Sequence, residues 1–92
     1  MIESFAHKGL KRFYEDQDER KLPPDMLERI AILLAALDEA KVVEDLDRPS
    51  FRLHKLRGDL VGYWAITVRA NWRIVFRFED GNASNVDFLD YH

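Results

Sequence analysis

The sequence predicts an α+β fold in which two N-terminal helices pack on a twisted, mainly antiparallel β-sheet. Three observations carry this. Apolar residues recur at helical spacing from Met26 to Leu37, alternation with a period of two takes over after Phe51, and an Asp80-Gly81 pair separates the last two alternating runs. At 92 residues, 47% of them hydrophobic and with six Phe, three Tyr and two Trp, the chain has apolar material for one core and reads as a single domain over 1–92.

Taken in order, residues 1–5 are a short apolar opening read as a strand. Residues 7–15 carry Leu10, Phe13 and Tyr14 at spacings of three and four, a first helix. Pro23-Pro24-Asp25 opens a second, because proline fits a first helical turn where its missing N–H has no partner. Met26, Ile30, Leu33, Leu34 and Leu37 form its broad apolar stripe, with Asp25 and Glu28 placed to favour the positive end of the helix dipole. The charged segment 41–49, ending in proline, breaks the periodicity. Phe51 and Leu53, and then residues 63–68, read as two strands separated by Arg57-Gly58-Asp59. Residues 72–79 form a third after a turn at Arg69-Ala70-Asn71, and Asp80-Gly81 returns 84–91 antiparallel to it.

Alternation also sorts faces. Trp72, Ile74, Phe76 and Phe78 should pack on the helices, leaving Arg73, Val75 and Arg77 on the opposite surface. In the last strand Val86 and Phe88 look like core, and Tyr91 shares the parity of Asn85, Asp87 and Leu89, so it can join the arginine face.

A net charge of −3 argues against a domain that coats nucleic acid by bulk electrostatics. Distribution matters more. The acidic residues fall largely between Glu15 and Asp47, whereas Arg52, His54, Lys55, Arg57, Arg69, Arg73 and Arg77 crowd the second half, where a polyanion would land. The absence of cysteine excludes disulfides and thiolate metal sites and makes a reducing cytosol the natural compartment. No signal-like apolar run opens the chain and no stretch approaches ~18 uncharged apolar residues, so neither export nor membrane insertion is expected. His7, His54 and His92 lack metal-ligand spacing, the four glycines are too dispersed for a phosphate-cradling loop, and Ser4, Ser50 and Ser84 lack a nucleophile-elbow context.

What remains is His54 with Arg57, Arg73 on the third strand, and the closing Asp90-Tyr91-His92. Metal-free RNA cleavage needs a base for the 2′-hydroxyl, positive charge on the pentavalent phosphorane and an acid for the departing 5′-oxygen. This set contains all three, since histidine titrates near neutrality and arginine offers phosphate a permanently charged fork. Each residue has a bland reading. A lone histidine beside a strand is more often a surface residue, alternating arginines are usually a solvated face, and a polar end is usually a loose tail. A chain that stops at its last strand nevertheless puts three polar side chains and its carboxylate at one spot.

These residues carry a resemblance that runs along the whole chain. Ser4-Phe5 with His7-Lys8-Gly9-Leu10-Lys11, Arg52-Leu53-His54 leading to Leu56-Arg57-Gly58-Asp59, Gly62-Tyr63-Trp64, Arg69-Ala70-Asn71-Trp72-Arg73-Ile74 and Asp90-Tyr91-His92 resemble, in order, the HigB branch of the RelE-type toxins. The resemblance implies a RelE-like microbial RNase fold and a ribosome-dependent endoribonuclease that cuts mRNA in the A site of the 70S ribosome, without metal or other cofactor. It makes His54 and His92 the proton-transfer candidates, Arg73 the phosphate-stabilising arginine, Tyr91 a stacking or orienting group and Asp90 a residue that orients a neighbour. Lys8, Lys11, Arg12, Lys55, Arg57, Arg69 and Arg77 are the expected RNA and ribosome contacts. The family often has lysine where this chain has Arg57, and proline where it has Lys55. A HigA-type helix-turn-helix antitoxin is the implied partner, and operator DNA is reached only through it.

Two other readings stay open on sequence alone. A non-catalytic relative would keep the fold and act by binding ribosome or antitoxin; the joint presence of His54, Arg73, Tyr91 and His92 speaks for catalysis. A free-standing RNase would need a long basic and aromatic groove, which net acidity and few aromatics on the presumed face do not supply.

Overall fold

The computed structural model describes residues 1–90. His7 starts the first helix, α1 (Lys8–Asp16), as its N-cap: the imidazole Nδ1 accepts the N–H of Leu10 at 3.1 Å, satisfying one of the orphan donors of the first turn. Gln17, in the left-handed region at φ 54°, ends it and donates its N–H to the Phe13 carbonyl. The proline signal opens a single 3₁₀ turn over Pro24–Met26, which runs into α2 (Leu27–Glu39). The expected stripe is the buried one: Ile30, Leu33, Leu34 and Leu37 face the sheet.

Beyond α2 the chain turns through short 3₁₀ segments. Asp45 accepts the N–H groups of Lys41 and Val42, and these two bonds hold its carboxyl below the usual carboxylate range. The strand expected at Phe51 and Leu53 is not there. Pro49–Phe51 is a 3₁₀ turn that buries Phe51, and Arg52 adopts φ 51°, so extended chain begins only at β1 (His54–Lys55). β2 (Trp64–Arg69), β3 (Trp72–Glu79) and β4 (Asn82–Asp90) follow, and the sheet order is β1-β2-β3-β4, each strand antiparallel to the next. The β3–β4 hairpin turns on Asp80 and Gly81, both at positive φ, as a two-residue turn that matches strand twist requires.

The expected N-terminal strand is reduced to two isolated parallel bridges, Ile2 to Ala83 and Phe5 to Val86. The cause lies in β4. Asn85 sits at φ 52° in a bulge, so Ala83 and Val86, three apart, share the core face, and Ser4 Oγ accepts the Asn85 N–H at 2.9 Å where ladder pairing fails. Asp38 ties this opening down, its Oδ1 accepting the Ile2 N–H at 3.1 Å and the Tyr14 hydroxyl at 2.7 Å. The Tyr14 phenol is pushed up by that bond. Hydrogen bonds to a charged acceptor contribute about 1.5–3 kcal/mol each, so one α2 carboxylate fastens α1 and the N-terminus together.

Helices cover one face of the sheet only. On the other, Leu56, Ala65 and Val75 form a second, smaller buried cluster with Leu60, Tyr63 and Leu89 against it. Val75 is thus on the expected face but not solvated, because the β1–β2 connection folds over it. Among the described residues no helix is long and apolar enough to cross a membrane.

Candidate active site

Cross-strand register places the candidate residues on the helix-free face. Residues directly opposite one another point to the same side of a sheet. One row therefore runs His54–Ala65–Val75–Asp87 across the four strands, and the next runs Thr67–Arg73–Leu89. His54 and Arg73 stand on one surface, two strand spacings across and two residues along the sheet, ~12 Å apart. Ala65 and Val75 lie between them, buried with Leu56 under Leu60, Tyr63 and Leu89, and Thr67 stands directly opposite Arg73.

His54 is exposed, and its Nδ1 lies 2.9 Å from the Arg52 carbonyl oxygen. A carbonyl only accepts, so Nδ1 carries a proton, and in the neutral ring Nε2 is the nitrogen left to accept one. The left-handed conformation of Arg52 delivers that carbonyl. Arg73 is half-buried. Its Nη1 donates to the carbonyls of Ala70 and, at 3.3 Å, Trp72, while its Nε is buried without a hydrogen-bond partner. Thr67 Oγ1, on the residue directly opposite, is likewise buried and unpartnered.

The remaining candidates are dispersed. Arg77 is on the same face, its guanidinium 5.4 Å from the Tyr63 ring centre, and Asn85 donates to the Tyr63 hydroxyl at 3.3 Å. Arg57 is exposed just past β1, and Lys55 lies 5.2 Å from the centre of Trp64. Arg69 pairs with Asp25 ahead of α2, with both side chains more than half exposed. Such a pair contributes about 0–1 kcal/mol and yields readily to a phosphate. Asp90 pairs with Trp72, whose ring stacks on Phe88 at 4.7 Å, so alternation directs it to the helix side, opposite Arg73. Tyr91 and His92 lie outside the described residues.

On α1, Lys8 and Arg12 line a concavity with His7, Gly9 and Lys21, while Lys11 is exposed elsewhere on the helix. His7 packs edge-on against Phe88 at 5.8 Å, which sets this basic hollow at the Trp72–Asp90 end of the sheet. Sequence reasoning missed Lys21 and Thr67. Lys21 sits in a charged linker with no periodicity, and Thr67 reads as an ordinary strand residue until register puts it beside Arg73.

This architecture is that of the RelE-like toxins. The chain superposes on YoeB in the YoeB–YefM toxin–antitoxin heterotetramer of Staphylococcus aureus with a TM-score of 0.63 at 21% identity, covering 100% of this chain and 95% of that one. It superposes on a YafQ mutant of E. coli with a TM-score of 0.58 at 18% identity, covering 95% and 87%. Sequence narrows the class further. Endoribonuclease HigB of Proteus vulgaris is 47% identical over 92 residues, the whole of both chains, and Toxin HigB-1 of Vibrio cholerae serotype O1 is 36% identical over 94 residues, covering 100% of this chain and 98% of that one. Residues 3–92 match the HigB-like toxins, described as the RelE-like toxin of the type II toxin-antitoxin system HigB, and the chain belongs to that family.

Proposed function

We propose that the unit 1–92 is a cytoplasmic, ribosome-dependent endoribonuclease that cleaves mRNA in the ribosomal A site and so arrests translation. The observation that carries the reading is His54, locked by Arg52 with Nε2 free, on one face with Arg73; the name of the Proteus vulgaris relative supports the RNase activity. Nε2 of His54 takes the 2′-hydroxyl proton, the 2′-oxygen attacks the adjacent phosphorus, and Arg73 neutralises the phosphorane. The P–O5′ bond breaks as an acid, His92 or Tyr91, protonates the 5′-oxygen, leaving a 2′,3′-cyclic phosphate and a 5′-hydroxyl. Asp90 orients a neighbour at this site.

Ribosome dependence follows from a small, incomplete basic surface. Arg57 and Arg77 flank the site, Lys55 and Arg69 are held in weak contacts they can exchange, and Lys8, Lys11 and Arg12 on α1, with Lys21 beside them, face ribosomal RNA. Ribosomal RNA supplies the remaining grip on the message. The decisive experiment incubates the protein with mRNA programmed on 70S ribosomes and with the same mRNA naked, and maps ends by primer extension. Cleavage confined to ribosomes is expected; equal cleavage of naked RNA makes it a free-standing RNase, and none in either makes it a binding module.

The antitoxin, a HigA-type helix-turn-helix protein that alone contacts operator DNA, docks on the helical side, away from His54. An apolar groove between α1 and α2, lined by Phe13, Tyr14, Ala31, Leu34 and Ala35 with Gln17 and the carboxylate of Asp38, supports this and favours a basic amphipathic segment. Ala35→Arg should weaken antitoxin affinity at least tenfold in calorimetry, because it fills the groove and reverses its charge, while leaving cleavage unchanged. Undiminished affinity would move the antitoxin off this face.

A further inference from the structure

We propose that Thr67 is a positioning residue for Arg73, its hydroxyl accepting the guanidinium Nε–H when the arginine turns to the scissile phosphate. The inference rests on the reading of Arg73 as the phosphate-binding group. Thr67 and Arg73 are direct cross-strand partners on the helix-free face, so their Cβ atoms stand about 4.5–5.5 Å apart. Each buries one polar atom without a hydrogen-bond partner, Oγ1 on the threonine and Nε on the arginine. Buried polar groups are nearly always satisfied, because an orphan forfeits its hydration and gains nothing in return. Two orphans side by side, one an N–H donor and the other a hydroxyl able to accept, are complementary.

The present geometry explains why they do not meet. Arg73 spends Nη1 on the carbonyls of Ala70 and Trp72, at the turn that joins β2 to β3, which draws the guanidinium along the strand and away from Thr67 Oγ1. This is a parked arrangement. When a phosphate competes for the Nη groups, the guanidinium leaves those carbonyls. Nε–H then bonds to Thr67 Oγ1 and leaves the Nη edge of the fork free for the phosphate, on the sheet face that also carries His54. Both orphans are satisfied in one movement, and only in the substrate-bound state. The Arg73 charge is held in a fixed orientation at the moment the phosphorane forms, which is where such a contact raises kcat and leaves KM alone.

The test compares Thr67→Val, which has the same shape without the hydroxyl, with Thr67→Ser, which restores it. Single-turnover cleavage of mRNA on 70S ribosomes is measured for both, alone and combined with Arg73→Ala, beside thermal melting. Thr67→Val should cut the maximal rate about tenfold with half-saturation by ribosomes moved less than about twofold, Thr67→Ser should recover most of the rate, and Thr67→Val should add nothing in the Arg73→Ala background. A wild-type rate for Thr67→Val beside a crippled Arg73→Ala overturns the proposal alone. So does an equal loss with and without Arg73. An Arg73→Ala variant at wild-type rate removes the underlying reading and the proposal with it. If Thr67→Val melts early, Thr67→Ser decides: a rate at or below that of Arg73→Ala overturns the proposal, and a near-normal rate sustains it.

Discussion

Arg73→Ala should slow cleavage of ribosome-bound mRNA by about 10²–10³-fold, the loss typical when one preorganised donor to a developing oxyanion is removed. The fold should hardly notice. In the resting state the guanidinium contributes only hydrogen bonds to two carbonyls at the Ala70–Trp72 turn, and those carbonyls can turn to water. The side chain is half-buried against Thr67, and taking it away also removes an unpartnered Nε from the interior, so a melting-temperature change of a few degrees is the most expected. Binding to ribosomes should also survive, since Lys8, Lys11, Arg12, Arg57 and Arg77 remain. Arg73→Lys separates charge from shape: an ammonium keeps the charge but not the planar fork, so its rate should fall between those of wild type and Arg73→Ala. Rates from single-turnover assays, read beside ribosome co-sedimentation, check this. A loss of binding in step with cleavage would make Arg73 an anchoring residue, and an unaffected rate would remove it from the chemistry.

How far the sequence alone reaches is visible strand by strand. Trp72, Ile74 and Phe76 alternate against helices on one side only, so period two predicts their face, and the structure places them there. The stripe of α2 is equally legible, because one face of an isolated helix must be apolar to be buried at all. Legibility stops where the backbone leaves its regular path. The bulge at Asn85 breaks parity within β4 and splits the N-terminal pairing into two bridges, and nothing in a single Asn announces it. Phe51 looks like strand and is a turn, since Pro49 and the left-handed Arg52 override its preference.

The site shows the same division. His54 and Arg73 could be nominated by their chemistry, and register brings both to one face. Asp90, nominated with them, falls on the opposite face by the same alternation, so residues chosen together by chemistry need not share a face. Arg69 shares the basic stretch yet faces Asp25. Thr67 carried no signal, because its interest lies wholly in an unpaired hydroxyl opposite an unpaired guanidinium nitrogen, which only coordinates reveal.

His54→Ala should cost about 10²–10⁴-fold in cleavage rate, the range for losing a positioned general base. The exposure of the ring makes this a clean test: its contact is one hydrogen bond to the Arg52 carbonyl, which water can replace, so stability should move by no more than about 0.5 kcal/mol. The role is then separated from that of the acid by changing the leaving group. In an mRNA with sulfur in place of the scissile 5′-oxygen, the departing thiolate is stable near its pKa of ~8.5 and needs no proton, whereas the 2′-hydroxyl must still lose one. A variant lacking the acid is rescued by that substrate and a variant lacking the base is not. His54→Ala should therefore stay slow on the sulfur-substituted message, and rescue would reverse its assignment to the acid. The same comparison on His92→Ala and on Tyr91→Phe identifies the proton donor, because only the residue that protonates the 5′-oxygen becomes dispensable.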